Sequence, residues 1–260
     1  MERAGIAVEL GERAAETSEI YEAFFKWVTT ALPFLTLKYA MTADGKIAAR
    51  TGASHWVTGP EARQYVASLR AGVDAVLVGI GTILSDDPQL TARPEGPDWE
   101  AGRPVHQPLR VILDSQARLP LSAAVVAGQL PGRTLLCATA QAPADGVAEL
   151  EGRGVEVLFL PERDGKVDII ELMKLLGQRG VTSILAEPGG TLAAALLEAG
   201  AVDKVLAFIA PKIVGGDAAP SPVGGTGRDS MAAALPLHDS QWRVVGEDML
   251  LKGYLTGGEG

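Results

Sequence analysis

The stretch 183–199, SILAEPGGTLAAALLEA, decides the fold. Ser183–Ala186 reads as a short buried strand, and Glu187 stands where that strand runs out. Gly189 and Gly190 follow, and Thr191 opens a helix that is apolar almost all round. A strand, a two-glycine turn and a helix N-terminus make an anion site, because free backbone N–H groups and the positive helix end point the same way. Glycine lets that backbone approach a phosphate closely. A carboxylate beside the turn is foreign to a pure phosphate cradle, and it points to a second ligand group that is cationic or hydroxyl-bearing. The alternative is a tight strand-to-helix turn with a surface glutamate, since Gly-rich turns serve packing too.

Toward the C-terminus, Lys204–Ala210 is a strand. Residues 214–240 are a Gly/Pro-rich excursion of the length at which a loop is usually functional. Trp242–Val245 and Met249–Leu255 flank Gly246-Glu247-Asp248 as a terminal antiparallel hairpin. Toward the N-terminus, Asp168 and Glu171 cap a helix that buries Ile169, Leu172, Met173 and Leu176 and stops at Gly180. Val155–Leu160, Thr134–Ala138 and Leu109–Asp114 are strands, and 92–108, rich in Pro, are loop. Ala75–Val78 is a continuous apolar strand, as a parallel sheet covered on both faces requires.

Thr58-Gly59-Pro60-Glu61 reads as a helix start, with a capping-box Thr and Glu and Pro at the first helical position. That helix buries Ala62, Tyr65, Val66 and Leu69, carries Arg70 beside the stripe, and closes at Ala71-Gly72. Phe34–Thr42 is an apolar strand holding a single Lys38, followed by an Asp44-Gly45 turn. Residues 1–33 read as a piece of something else: GIAVEL (5–10) as a strand and TSEIYEAFFKWV (17–28) as an amphipathic helix with Phe24, Phe25 and Trp27.

Strands alternating with helices predict a mostly parallel sheet with helices on its faces. Ligands of such sheets bind beyond the carboxyl ends of the strands. That rule gathers Met41–Thr42, Gly79–Thr82, Asp114-Ser115 and Glu187–Thr191 on one rim.

With 260 residues, 47% hydrophobic and 21% charged, the chain has the profile of a soluble globular protein with a substantial core. A net charge of −9 argues against a nucleic-acid scaffold, while leaving room for a local basic patch that holds a phosphate. One cysteine, Cys137 in an apolar run, excludes a disulfide framework and a multi-thiolate zinc site. The N-terminus lacks a signal-peptide pattern, and no apolar run reaches the ~18 residues that span a bilayer. Neither a nucleic-acid nor a membrane partner is expected, and the default location is cytoplasmic.

Several residues are candidates for chemistry. Gly79-Ile80-Gly81-Thr82 after a buried strand resembles a fragment of a dinucleotide fingerprint, without its third glycine. Thr82 offers a hydroxyl to a phosphate or ribose, or caps a helix. Of Asp86 and Asp87, one caps a turn before Pro88 and the other is open to a ligand hydroxyl or to acid catalysis. Arg70 and Arg93 suit an anionic substrate group, because the planar guanidinium fork matches two oxygens. Lys38, inside an apolar strand, is either paired or functional. Trp56 stacks on a flat ring or anchors a core, and Ser54 offers a hydroxyl to an anion. His55, His106 and His238 have no metal spacing, and no metal site is expected. A zinc-deaminase signature, a G-x-S-x-G elbow and a P-loop are all missing.

Taken in order, these motifs resemble one family. PFLTLKYAMTADGKIA (33–48), SHWVTGPEARQYVASLRAGVDAVLVGIGTILSDDPQLTAR (54–93), LRVILDS (109–115), ILAEPGGTLAAALLEAGAVDKV (184–205) and FIAPKIVGGD (208–217) are similar to the C-terminal reductase half of the bacterial bifunctional riboflavin-biosynthesis deaminase–reductase. The likeness runs from Pro33 to Leu255. It divides the chain into 1–32, similar to the tail and linker of the deaminase half, and a reductase domain at 33–260. The zinc-binding part is missing, so a truncated or stand-alone reductase is implied, with no deaminase activity.

The resemblance implies an α/β, dihydrofolate-reductase-like fold, a homodimer, and NADPH as cofactor. It implies reduction of 5-amino-6-(5-phosphoribosylamino)uracil to the ribitylamino compound. Carried onto this sequence, NADPH touches Ala40, Trp56, Thr82, Asp86, Ser115, Gly189, Gly190, Thr191 and Leu192. The phosphorylated substrate meets Ser54, Arg70, Leu90, Arg93 and Glu187. Glu187, Asp86 and Lys38 are the catalytic candidates: Glu187 or Asp86 stabilises the developing cation or shuttles the ring-oxygen proton, and Lys38 orients a ribose hydroxyl. One departure stands out: where the family has Glu-Gly-Gly, this chain has Glu187-Pro188-Gly189. Proline removes an N–H donor and fixes φ, which predicts a difference in cofactor affinity or in turn geometry. Two rivals remain: a reductase of a related pterin or pyrimidine, and a non-catalytic nucleotide-binding relic.

Overall fold

The computed structural model describes residue 11 and residues 14–54, 56–95 and 104–255, of 14–16 the backbone alone. In chain order the elements are α1 Ala14–Thr30, β1 Phe34–Thr42, α2 Pro60–Leu69, β2 Ala75–Gly79, α3 Ile80–Asp86, β3 Leu109–Leu113, α4 Ala124–Ala127, β4 Thr134–Ala138 and α5 Ala144–Glu151. They continue as β5 Glu156–Phe159, β6 Glu162–Arg163, β7 Lys166–Val167, α6 Ile169–Gln178, β8 Ser183–Ala186, α7 Gly190–Glu198, β9 Lys204–Ala210, β10 His238–Val245 and β11 Asp248–Tyr254.

Nine of the described strands form one sheet in the order β10-β11-β9-β1-β8-β2-β3-β4-β5. The seven from β9 to β5 run parallel, and β10–β11 add the antiparallel hairpin against β9. This is the architecture expected from the alternation of strand and helix patterns. Parallel strands expose neither face to water, so their side chains alternate between two apolar layers. Leu35, Leu37, Leu77 and Val111 pack with Leu172 and Leu176 of α6 and Leu196 of α7. Val76, Val78 and Ile112 pack with Ile83 of α3, Val125 of α4 and Leu150 of α5 on the other side. Leu206 and Phe208 of β9 meet Ala62 and Val66 of α2. Cys137 is fully buried in β4, and burial pushes its thiol up to about 12, as fits a core residue.

Some boundaries differ from the sequence reading. The N-cap of α2 is Gly59, without a side-chain cap, so Thr58 does not close a capping box. The Gly59 N–H donates instead to Asp248 Oδ2 at 2.8 Å, a carboxylate brought in from the terminal hairpin. Asp168 caps α6 as expected, accepting from the N–H groups of Ile170 and Glu171. Glu171 does not reach back; its side chain takes the Lys174 ammonium at 2.8 Å. The GIAVEL strand and His55 lie outside the described residues. Among the described residues no helix is long and apolar enough to cross a membrane.

The helix expected at 17–28 exists as α1 and is pinned to the body. Lys26 Nζ donates to both oxygens of Asp203 at 2.7 and 2.6 Å, and Asp203 also accepts the Leu35 N–H at 2.7 Å. Trp27 Nε1 donates to the Gly177 carbonyl at 3.1 Å. Gly177 has no room for a side chain, because a Cβ there would lie 2.0 Å from the Ala31 carbonyl oxygen. Gly177→Ala is therefore expected to cost about 1–3 kcal/mol through overpacking. At about 2–4 °C per kcal/mol the melting temperature falls by several degrees. A wild-type melting curve for Gly177→Ala contradicts this close docking of α1.

Candidate active site

Glu187 follows the last residue of β8, where its N–H donates to the Leu77 carbonyl of β2 at 2.9 Å. Leu37 of β1 is in register with Ala186, so Lys38 lies one step further along, beside Glu187. Arg70 extends past the end of α2 and closes on the same carboxylate. Its Nε and Nη2 donate to Oε1 and Oε2 at 2.7 and 3.0 Å, and Nη1 reaches the Thr91 carbonyl at 3.3 Å. Lys38 Nζ sits 3.7 Å from Glu187 Oε2 and 5.9 Å from the centre of the Phe208 ring. All three side chains are less than a fifth exposed.

Burial alone would raise the Glu187 carboxyl, but the adjacent Arg70 and Lys38 charges more than offset it, and its pKa lies below the usual carboxylate value. Burial drives the Lys38 ammonium below the usual lysine value, with Arg70 adding to the effect and Glu187 opposing it. At neutral pH the cluster therefore holds a fixed anion beside a cation whose proton is easier to remove than that of a surface lysine.

Next to this cluster lies a groove of about 470 Å³ along the carboxyl ends of β8, β2 and β3. Gly79–Thr82, Gly189–Leu192, Ser115, Gln116, Arg118 and the Gly165–Val167 strip line it. The N-cap of α7 is Gly189 in extended conformation, and the first helical bond runs from the Ala193 N–H to the Gly189 carbonyl. The free donors of that helix end are thus the N–H groups of Gly190, Thr191 and Leu192. Pro188 precedes all of them, so the N–H that it lacks is not one of these three. A Cβ at Gly81 or Gly189, both on the groove wall, would meet no protein atom within 4 Å. Bare backbone, helix-end N–H groups and the Thr82 and Ser115 hydroxyls fit a dinucleotide's phosphates and riboses.

The residues singled out from the sequence fall into separate places. Thr82, Ser115, Gly189, Gly190, Thr191 and Leu192 share the groove. Lys38, Arg70 and Glu187 form the buried cluster. Thr82 is the third residue of α3, whose N-cap is Gly79, so the capping alternative for it falls. The two aspartates divide cleanly: Asp87 is left-handed, with φ of 40°, and accepts the Ala124 N–H at 2.8 Å, while Asp86 is exposed and takes the Ser54 hydroxyl. Trp56 is 63% exposed, so it is no core anchor. The Arg63 guanidinium lies 4.0 Å from its ring centre, and Lys212 Nζ holds its carbonyl at 2.7 Å. Ala40 packs against the cluster around Phe208. Leu90 is 2% exposed with its side chain in the core. Arg93 is exposed, and its backbone is tied to α2 through the Ala67 carbonyl and Gln64 Nε2.

Arg118 and Lys166 also line the groove, and the sequence analysis did not single them out. The pattern Arg163-Asp164-Gly165-Lys166 contains the D-G signal of a tight hairpin, and would have placed Lys166 beside a turn.

The long excursion after β9 packs on the cofactor-type turn. The Gly224 N–H donates to the Gly190 carbonyl at 3.0 Å, and a Cβ on Gly190 would lie 2.6 Å from the Ser221 carbonyl oxygen. Its other end is held by Asp44, which accepts the Thr42 hydroxyl and the N–H groups of Val214 and Gly215.

Residues 33–251 match the family model described as the RibD C-terminal domain. The riboflavin biosynthesis protein RibD of Actinobacillus pleuropneumoniae is 36% identical over 251 residues, which cover 96% of this chain and 64% of that protein. The chain thus spans less than two thirds of that relative. The 2,5-diamino-6-ribosylamino-4(3H)-pyrimidinone 5′-phosphate reductase of Methanothermobacter thermautotrophicus is 38% identical over 225 residues, covering 86% of this chain and 99% of that protein. Form 1 of Acinetobacter baumannii RibD matches with a TM-score of 0.82 and 30% identity, over 98% of this chain and 67% of that one. The α/β fold with its mostly parallel sheet is shared with that structure.

Asp44 gives the excursion a pH signature. The Thr42 hydroxyl, followed by the Gly215 N–H, lowers its carboxyl to about 2 from 3.8. A depressed carboxyl stabilises the fold above its unfolded value and stops doing so as pH falls through the folded one. The stability gap between wild type and Asp44→Asn is expected to be full at pH near 6 and to close between about pH 4 and pH 2. A gap that stays constant over that interval contradicts the role of the ionised carboxylate.

Proposed function

The chain belongs to the RibD C-terminal domain family, and from that premise we propose that it reduces 5-amino-6-(5-phosphoribosylamino)uracil to the ribitylamino product with NADPH, as a cytoplasmic homodimer. The observation that carries this reading is the buried Lys38–Glu187–Arg70 cluster, joined to the glycine-lined groove by the short turn from Glu187 to Gly190.

The nicotinamide cofactor, when bound, supplies the hydride. The chain's own residues prepare the sugar carbon to receive it. Opening the ribosylamine ring breaks the C1′–O4′ bond, places a proton on O4′ and leaves a positive C1′=N group. Lys38, with its lowered pKa, is the proton donor to O4′. Glu187, kept ionised by two cations, faces the developing positive charge and stabilises it. Arg70 fixes the Glu187 carboxylate in one orientation by its two-pronged contact. Arg93, and Arg70 through the nitrogen that makes only the long bond to Thr91, are the cations for the sugar phosphate. Ser54, whose hydroxyl is held by Asp86, meets the substrate, and Trp56, with Arg63 over its ring, meets the cofactor. The edge strand β10, with Trp242 and Val244 exposed, supports association with a second copy.

The name of the Methanothermobacter relative favours one second reading, in which the preferred pyrimidine carries an amino group in place of the uracil carbonyl. Comparing kcat/KM for the two pyrimidines separates them, and dihydrofolate should give no turnover.

Glu187→Gln is expected to lower kcat on the order of 10²-fold or more, as loss of an electrostatic stabiliser does. Full kcat in that variant excludes the role given to Glu187. For Lys38, whose protonated form is the active one, the rate falls as pH rises through its lowered pKa. The limb should lie below the ordinary lysine value and vanish in Lys38→Arg. A wild-type profile flat up to that ordinary value contradicts Lys38 as the donor.

A further inference from the structure

The far end of the groove carries two basic side chains that the proposed reaction leaves unused. Arg118 lies just past β3, with its side chain 56% exposed and its Nε 3.5 Å from Asp114 Oδ1. Asp114 is buried, and its other oxygen has no hydrogen-bond partner among the described residues. Lys166 opens β7, where it pairs with Arg163 across the hairpin, and it is exposed. Both line the groove together with Thr82 and Ser115. The Ser115 hydroxyl accepts the Val167 N–H at 3.2 Å, which ties the β6–β7 hairpin to the end of β3 and holds Lys166 at that lip.

In a chain of net charge −9, two cations on one end of a single cleft mark a place for an anion. The sheet order sets which end this is. Lys38 and Glu187 stand at β1 and β8, whereas Ser115 and Arg118 follow β3, two strands further along. Adjacent strands are about 4.8 Å apart, so β1 and β3 are separated by about 14 Å. A dinucleotide that presents its nicotinamide to the Lys38–Glu187 cluster therefore lays its adenosine end between Thr82, Ser115, Arg118 and Lys166.

We propose that Arg118 and Lys166 clamp the 2′-phosphate on the adenine ribose and so select NADPH over NADH. The inference rests on the dinucleotide-reductase reading above and adds the residues that set its cofactor preference. Arg118 offers a planar fork and Lys166 a point charge to the same phosphate. Asp114 is a positioning residue that holds the guanidinium at the groove wall. With NADH the clamp faces a hydroxyl and gains no charge pairing.

The test is titration calorimetry of the whole chain with two probes, adenosine 2′,5′-bisphosphate and adenosine 5′-monophosphate. The wild type is expected to bind the bisphosphate about tenfold or more tightly than the monophosphate, as charge-assisted contacts to one added phosphate allow. Arg118→Ala and Lys166→Ala each lose most of that preference, the double variant loses all of it, and monophosphate affinity stays unchanged. In turnover, KM for NADPH rises while kcat at saturation is kept. If the wild type binds both probes equally, or the variants keep the preference, the clamp is wrong and the reductase reading stands. If the wild type binds neither probe and does not oxidise NADPH with substrate, both fall together. Both side chains are exposed, so the variants should fold, and their melting curves check this.

Discussion

The buried pairing of Arg70 with Glu187 is the contact on which the rest of the site depends. It joins the end of α2 to the end of β8, and Lys38 of β1 completes it from the neighbouring strand. Burying three charges is costly, and replacing such a set by apolar residues often leaves a protein as stable as before. Removing one member is different, because it strands a charge in the interior at a cost of about 3–5 kcal/mol. A device of this kind is better explained by what it orients than by the stability it adds. Here it holds a carboxylate in one place and in one protonation state, at the edge of a groove suited to a dinucleotide.

The fold places that carboxylate by simple means. β8 is the strand between β1 and β2, and all three end on the same side of the sheet. Glu187 therefore leaves β8 just as the backbone turns into α7, whose first N–H groups face the groove. In the proposed reaction, the carboxylate that serves the sugar carbon and the helix end that serves the phosphates are consecutive features of one strand–turn–helix unit. The excursion after β9 packs against Gly190 from outside, so the turn is supported by backbone on both sides.

Much of this was legible in the sequence. The buried strands announced themselves as apolar runs, and β8 with its glycine turn pointed to an anion site. The rest was not, for physical reasons. Arg70 and Glu187 are 117 residues apart, and no local pattern shows that an arginine beside an amphipathic stripe will be spent on a carboxylate. Asp86 and Asp87 are chemically identical neighbours, and only the left-handed backbone at Asp87 assigns it to structure. Thr58 matches a capping pattern, yet a carboxylate from the far hairpin meets the chain at Gly59 first. The helices α4 and α5, with 4 and 8 residues, are too short for a 3.6-residue period to emerge from composition. For Trp56 the sequence leaves stacking and core anchoring open, and only the exposure of its ring, faced by Arg63, removes the core role.

The proposed chemistry requires that hydride reach one particular carbon beside Glu187. Turnover with NADPH deuterated at the transferring nicotinamide position, followed by mass and NMR analysis of the product, tests this directly. A single deuterium at C1′ of the ribityl chain is the expected result. Deuterium on the pyrimidine ring, or unlabelled product formed at an undiminished rate, contradicts hydride delivery at the sugar carbon and with it the function assigned to the cluster.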